Sequence, residues 1–365
     1  MKKIIAALAG FLLCASAFAT DIRQVMFGNN YETIKEIDSE KFFEKYPESK
    51  IINRDKFEER GGWEEKYYRV YKQVIGDKTF YRLQASPDKL TDDYILNWRN
   101  HDENTNRYRV QLFMEDGDYL IAVLDTCVMN YDWEAWEHGT TKEYDFVEII
   151  QRNNKVKGFL YTRLVDKIDR HDRIEEYHRV EETYINTAEY YLFDDVMNNA
   201  TENFGKVKYA RNYSGIRHVS IEASQPLIDS KRPFMYTINN AFDGNAGTAY
   251  VENTEDDLFD IYIGWENSDF TKNAVDALKI TNGYAKNKEL YYANNRIKCI
   301  VYYSWDDDDY KEIEIDDRKD SLTITLARFS GTFSIVDKYK GGKYNDTCVS
   351  EIDFHFILTD WLIGE

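Results

Sequence analysis

Asn239-Asn240-Ala241-Phe242-Asp243-Gly244-Asn245-Ala246-Gly247-Thr248-Ala249-Tyr250-Val251-Glu252 is the stretch on which the fold turns. Its centre, Asp-Gly-Asn, reads as a tight turn: glycine supplies a positive φ and asparagine bonds its own backbone. On either side the pattern is that of strands. The chain of 365 residues holds 29 Tyr and 20 Phe but 4 Pro, and its β-branched residues alternate with charged ones, which favours strands over helices.

Upstream, three hairpins are legible. Lys66 to Ser86 alternates apolar and polar residues around Ile75-Gly76-Asp77-Lys78. Tyr108 to Phe113 and Tyr119 to Leu124 flank Glu115-Asp116-Gly117-Asp118, and Phe146 to Ile150 and Phe159 to Val165 flank Arg152-Asn153-Asn154-Lys155. This half reads as an antiparallel β-meander that closes into a barrel or curls over on itself. Short helices are expected near Ser39, as N-cap, and around Ala188 to Asn198. Between Asn198 and Ser214 the chain is rich in Asn, Gly and small polar residues, which places a linker there. The division is then a leader over 1–19, a β-rich domain over 20–214 and a second domain over 215–365.

The leader is read from Met1-Lys2-Lys3, an apolar run from Ile4 to Leu13, and Ala17-Phe18-Ala19 before a cut at Thr20. The expected location is therefore exported, periplasmic or extracellular. The run is too short to span a bilayer, and no later stretch is long and uncharged enough for a transmembrane segment. Without residues 1–19 the chain keeps 45 basic and 66 acidic residues, a net charge of −21. That opposes nucleic acid and anionic lipid as partners and suits neutral glycans or cations, while also serving solubility. Cys127, Cys299 and Cys348 remain, an odd set that cannot be a complete disulfide framework. Cys299 and Cys348 either pair or are buried free thiols.

The chain has no His-Glu-x-x-His, Gly-x-Ser-x-Gly, glycine-rich phosphate loop or Cys-x-x-Cys, so no catalytic residue is assigned. His171, Glu175 and His178 would share a face on a helix but not on a strand, and strand-like surroundings favour the second. Trp133, Trp136, Tyr131 and His138 offer stacking faces that serve a core equally well. Asp306-Asp307-Asp308-Asp309 reads as a solvated loop tip.

The opening stretch resembles the Asp-Gly-Asn-x-x-Thr-x-Trp loop of discoidin-like carbohydrate-binding modules. It resembles more closely the NADase-type glycan-binding domain, whose pattern is Asn-Ala-Phe-Asp-Gly-Asn-x-x-Thr-Ala-Trp-Val-Glu. Three further blocks follow in the same order: Thr281-Asn282-Gly283-Tyr284, Tyr291 to Lys298 with Asn294-Asn295-Arg296, and Lys343 to Ile352. The resemblance covers roughly residues 220–360 and leaves the N-terminal half unassigned. It departs in two places: Tyr250 stands where the family has Trp, and residues 253–260 carry acids where the family is glycine-rich. The family takes its name from a toxin whose enzymatic part is a separate domain, and nothing here resembles that part, so NAD hydrolysis is not carried over.

The resemblance implies a mainly β fold with a C-terminal discoidin-like jelly-roll β-sandwich. It implies a structural calcium held by Asp243, Asn245, Thr248 and Glu351, hard oxygen ligands suited to that ion. It also implies a glycan or glycoconjugate partner bound by Tyr284, Tyr291, Tyr292, Asn294, Asn295 and Arg296. Read without it, Asn282-Gly283 is a tight turn and Arg296 a partner for an acid in the sheet. The resulting expectation is an exported, non-catalytic carbohydrate-binding protein. The alternatives are a secreted glycan-active enzyme with catalysis in the N-terminal domain, and a structural or adhesive surface protein.

Overall fold

The computed structural model describes residues 28–50, 66–86, 89, 107–117, 119–129, 131–132, 140–152, 155–172, 178–192, 200–204, 207–210, 218–229, 232, 234–265, 274–357 and 361–363. The leader, the cut at Thr20 and the 214/215 boundary lie outside them. No helix among the described residues is long and apolar enough to cross a membrane.

The chain is mainly β. Strand β1 (Ile34–Ile37) leads into helix α1 (Ser39–Lys45), then β2 (Tyr67–Ile75), β3 (Lys78–Ser86), β4 (Arg107–Asp116) and β5 (Tyr119–Met129). The first two hairpins stand as read, with Gly76 and Gly117 at φ 59° and 61° in their turns. Helix α1 is capped one residue earlier than expected: the Asp38 carboxylate accepts from the amides of Glu40 at 2.9 Å and Lys41 at 3.2 Å, which places a full negative charge at the helix start. The helix lays Phe42, Phe43 and Tyr46 on one face of this sheet, against Tyr81, Leu83 and Phe113.

Next come β6 (Tyr131–Asp132), β7 (Thr140–Arg152), β8 (Lys155–Asp172), β9 (His178–Leu192), β10 (Ala200–Phe204) and β11 (Val207–Ala210). The third hairpin is much longer than its sequence signal, with β7 and β8 paired from Thr140↔Ile168 to Arg152↔Lys155. The helix expected from Ala188 is a correction. Ala188 to Leu192 continue β9, because β8 pairs on one side and β12 (His218–Ala223) on the other, and two ladders outweigh a local helical pattern. The stretch read as a linker contains β10 and β11, and β11 runs parallel to β5. The N-terminal meander thus splits between two sheets. One is seven-stranded, in the order β1-β2-β3-β4-β5-β11-β10; β6 to β9 form the far end of the other. Phe80, Leu112 and Ile121 pack between them against Val147, Ile149 and Phe159.

The rest of the chain is β13 (Tyr250–Val251), β14 (Asp260–Trp265), β15 (Val275–Asn282), helix α2 (Lys288–Ala293), β16 (Asn295–Ser304), β17 (Asp309–Glu314), β18 (Leu322–Tyr339) and β19 (Thr347–Phe356). The second sheet has the order β17-β16-β19-β15-β18-β14-β12-β9-β8-β7-β6, with β13 added to β19. Strand β18 pairs with β14, β15 and β16 along its length, which folds this part into the β-sandwich expected of a discoidin-like module. Its core is Ile261, Leu278, Ile300, Phe329, Phe333 and Phe354, and Ile150 and Leu160 from β7 and β8 join it. Alternation along β7 therefore splits the strand between two cores: Val147 and Ile149 face the first sheet, and Glu148 and Ile150 face the sandwich.

Candidate functional site

The Asp243 turn closes on itself. Ahead of it, a short 3-10 turn, Ile238–Ala241, is buried, and Phe242 stacks on Phe354 with ring centroids 6.0 Å apart. The Asp243 carboxylate accepts from the Asn245 amide at 2.7 Å through one oxygen and from the Thr248 hydroxyl at 2.8 Å through the other. Asn245 Oδ1 accepts from the Gly247 amide at 2.9 Å, and its carbonyl accepts from the Thr248 amide at 3.0 Å. Gly244 takes φ 78°, the left-handed conformation the sequence reading required.

Three of the four residues expected to hold calcium thus come together. Glu351 lies on β19, paired with Thr281 of β15, and its side chain is partly buried. Two other acids are built into this region and were missed by sequence reasoning. Glu148 is 3% exposed, and burial, with the Asp243 charge adding to it, pushes its carboxyl well above the usual range. Glu252 accepts from the Thr347 amide at 2.8 Å and from the Thr254 amide and hydroxyl at 2.6 Å each, tying β13 to β19. The quoted stretch contains Glu252, but nothing in its pattern says which acid is turned inward.

The second cluster surrounds α2. Asn287 caps it by accepting from the Leu290 amide at 2.8 Å. Arg296 forks onto Asp317, donating from Nε at 3.1 Å and from Nη2 at 2.7 Å, while Nη1 donates to the carbonyls of Asn294 at 3.1 Å and Lys340 at 3.2 Å. Tyr291 donates to Asp317 at 2.9 Å, and its ring lies 5.3 Å from the guanidinium. Arg296 holds the Asp317 carboxyl below its ordinary range. Asn294 donates to the Leu290 carbonyl at 2.8 Å. Asn295 donates to the Asn345 carbonyl and accepts from the Gly341 amide at 2.7 Å.

Asn282-Gly283 is the tight turn read from the sequence. Gly283 has φ 64°, and a Cβ there would fall 2.5 Å from Arg296 Cγ. Asn282 both donates to and accepts from the Ile297 backbone, at 2.7 and 2.8 Å. Tyr284 packs with Ala249, Val251 and Cys348.

Of the six residues expected to bind a glycan, Tyr284, Tyr291, Asn294, Asn295 and Arg296 are therefore buried and committed to protein partners or packing. Tyr292 alone faces out, 50% exposed. A second exposed ring, Tyr344, 41% exposed, lies on the loop before β19 and is unassigned by sequence reasoning although the last quoted block contains it. The loop carrying Tyr344 is pinned to the end of α2: the Gly342 amide donates to the Tyr292 carbonyl at 2.8 Å, and the Tyr344 amide to the Ala293 carbonyl at 2.8 Å. Two tyrosines thus stand on adjoining backbone as an aromatic ledge, over a buried ion pair that fixes both segments.

Other residues singled out by sequence carry less. Cys299 and Cys348 are buried free thiols. The backbone of His171 and His178 is strand, at the facing ends of β8 and β9; Glu175, Trp133, Trp136 and His138 lie outside the described residues. Asp306 to Asp308 lie in the exposed turn between β16 and β17, Asp309 opens β17, and Asp307 pairs with Lys311 at 3.1 Å. Among the described residues no three His, Cys, Asp or Glu side chains gather as a metal centre.

Residues 212–355 match the family model described as the NAD glycohydrolase translocation F5/8 type C domain. This segment is thus a discoidin-type module, as the four blocks imply. No curated protein matches the chain. Solved structures with similarity include a GH29 fucosidase of Ruminococcus gnavus in complex with fucose, at 17% identity and TM-score 0.25, covering 42% of this chain and 28% of that one. A mutant of the same fucosidase gives 16% identity with the same TM-score and coverage. An arabinofuranosyltransferase from Mycobacteria gives 10% identity and TM-score 0.27, covering 67% of this chain and 19% of that one.

Proposed function

We propose that this is an exported, non-catalytic carbohydrate-binding protein whose C-terminal module holds a glycan on the Tyr292 and Tyr344 ledge. The observation that carries the reading is the contrast between those two exposed rings and the fully bonded cluster beneath them. Sugar faces stack on aromatic rings, and a ledge held by a buried ion pair and backbone bonds enters binding already ordered. Export rests on the leader read over residues 1–19, and intact mass of secreted material beginning at Thr20 tests it. A glycan array probed with the full chain tests the binding: retained signal in the Tyr292→Ala, Tyr344→Ala double variant would remove the ledge from the reading.

The proposal includes a structural calcium at the Asp243 turn. The donor set fits in kind, since Asp243, Asn245 and Thr248 bring hard oxygens to one place. Calcium bound there would clamp the turn without taking part in chemistry. Calcium should raise the melting temperature of wild type and leave Asp243→Ala unmoved; an equal response in both reduces the loop to a turn.

A further inference from the structure

The net charge of −19 argues for a neutral ligand, but the ledge has the opposite local charge. Residues 286–298 and 337–346, the two segments that build it, carry Lys286, Lys288, Arg296, Lys298, Lys338, Lys340 and Lys343 against three acids, Glu289, Asp337 and Asp346. Three of the bases are used internally: Arg296 by Asp317, Lys298 by Asp337 and Lys338 by Asp257. Lys286, Lys288, Lys340 and Lys343 are exposed, and none forms an ion pair among the described residues. Three of these border the rings. Lys288 and Tyr292 are four residues apart on α2 and so share a helix face. Lys343 Nζ lies 4.7 Å from the centre of the Tyr344 ring. Lys340 is fixed beside the ledge by its carbonyl, which accepts from Arg296, and by its neighbour Gly341, bonded to Asn295.

We infer that the ledge takes a sugar bearing a carboxylate, with the ring of the sugar on Tyr292 or Tyr344 and its carboxylate among Lys288, Lys340 and Lys343. This rests on the glycan-binding reading and narrows it. A uniformly acidic surface would repel such a ligand, whereas a basic patch within an acidic field draws the ligand to one place. The same charges would also attract an anionic membrane. The exposed large side chains here are tyrosines, with no exposed Leu, Ile, Phe or Trp among the described residues of either segment to enter a lipid layer, so the sugar is favoured.

The test sets matched pairs before the full chain: sialyllactose against lactose, and a galacturonate trisaccharide against its methyl ester. At low salt the acid member of at least one pair should bind about tenfold more tightly, from roughly twofold for each of three exposed lysines. The preference should collapse in ~1 M salt, where the Debye length is ~3 Å. Lys288→Gln, Lys340→Gln and Lys343→Gln together should erase it, while Lys35→Gln on β1 should leave it intact. Equal binding within both pairs, still dependent on Tyr292 and Tyr344, would overturn the charge assignment and keep the glycan reading. Absence of sugar binding would overturn both; tyrosine-dependent binding to phosphatidylserine vesicles in that case would make the ledge a membrane surface.

Discussion

Two sets of buried polar side chains, one in each half of the molecule, are treated in opposite ways. In the C-terminal module they tie distant segments together. Asn295 joins β16 to the loop at Gly341 and Asn345, Arg296 joins it to Asp317 and Lys340, and Glu252 joins β13 to β19. On the N-terminal sheet, Gln84 of β3 and Gln111 of β4 are 0% and 1% exposed, and among the described residues neither amide nitrogen nor oxygen has a hydrogen-bond partner. A polar group that bridges two segments fixes the identity of its residue, because each replacement leaves both segments unsatisfied. A buried amide without such a bridge fixes only a volume. The first kind of region writes a recognisable sequence; the second writes alternation.

The sharpest way to break this contrast is to remove Arg296. Arg296→Met deletes four donated hydrogen bonds and leaves Asp317, Asn294 and Lys340 to find other partners. We expect a loss of about 3 kcal/mol, lessened by the partial exposure of Asp317, in urea unfolding of the full chain. A loss below ~1 kcal/mol would mean that the cluster is ornamental and the regions do not differ. Gly283→Ala attacks the same cluster through the backbone: it combines a positive φ with a Cβ 2.5 Å from Arg296 Cγ, and should cost about 2 kcal/mol.

The N-terminal counterpart runs the other way. Gln84→Met keeps the volume and deletes a buried amide that has no partner among the described residues, so it should stabilise the protein by about 1 kcal/mol. Destabilisation by that amount would show that Gln84 has an undetected tie and that the two halves obey one rule.

The contrast also explains what could be read from sequence. Turns carried by Gly76, Gly117 and Asp243-Gly244 were legible because a positive φ restricts the residue. The blocks around Asn282 and Asn294 to Arg296 were legible as family pattern, but their use was not. The same Asn and Arg types serve a sugar or a neighbouring backbone equally, and only Asp317, Lys340 and Gly341, distant in sequence, decide between them. Tyr344 went unassigned because a tyrosine in a loop gives no sign of its exposure. The continuation of β9 past Ala188 was hidden for a related reason: its two partner strands are set by tertiary pairing.

The smallest expected effect separates the regions by titration. Asp317 is a carboxylate held below its ordinary range, chiefly by the hydrogen bond from Arg296. An acid whose folded pKa is depressed adds stability above its unfolded pKa, and that increment is lost as pH falls through the folded value. The relevant window therefore opens near pH ~4, the ordinary aspartate value, and extends below it. Because the Asp317 side chain is 31% exposed, solvent screens the pair and keeps the increment small. Urea unfolding of wild type should show stability falling in this window, and Arg296→Met should flatten part of that slope, since it removes the largest of the interactions that hold the Asp317 carboxyl down and leaves the Tyr291 hydrogen bond. Gln84→Met should raise the whole curve without changing its slope, because an amide does not titrate. Parallel curves for wild type and Arg296→Met would show that the ion pair stabilises nothing, and the ledge above it would have to be held by Asn295 and by the backbone bonds of Gly342, Lys343 and Tyr344.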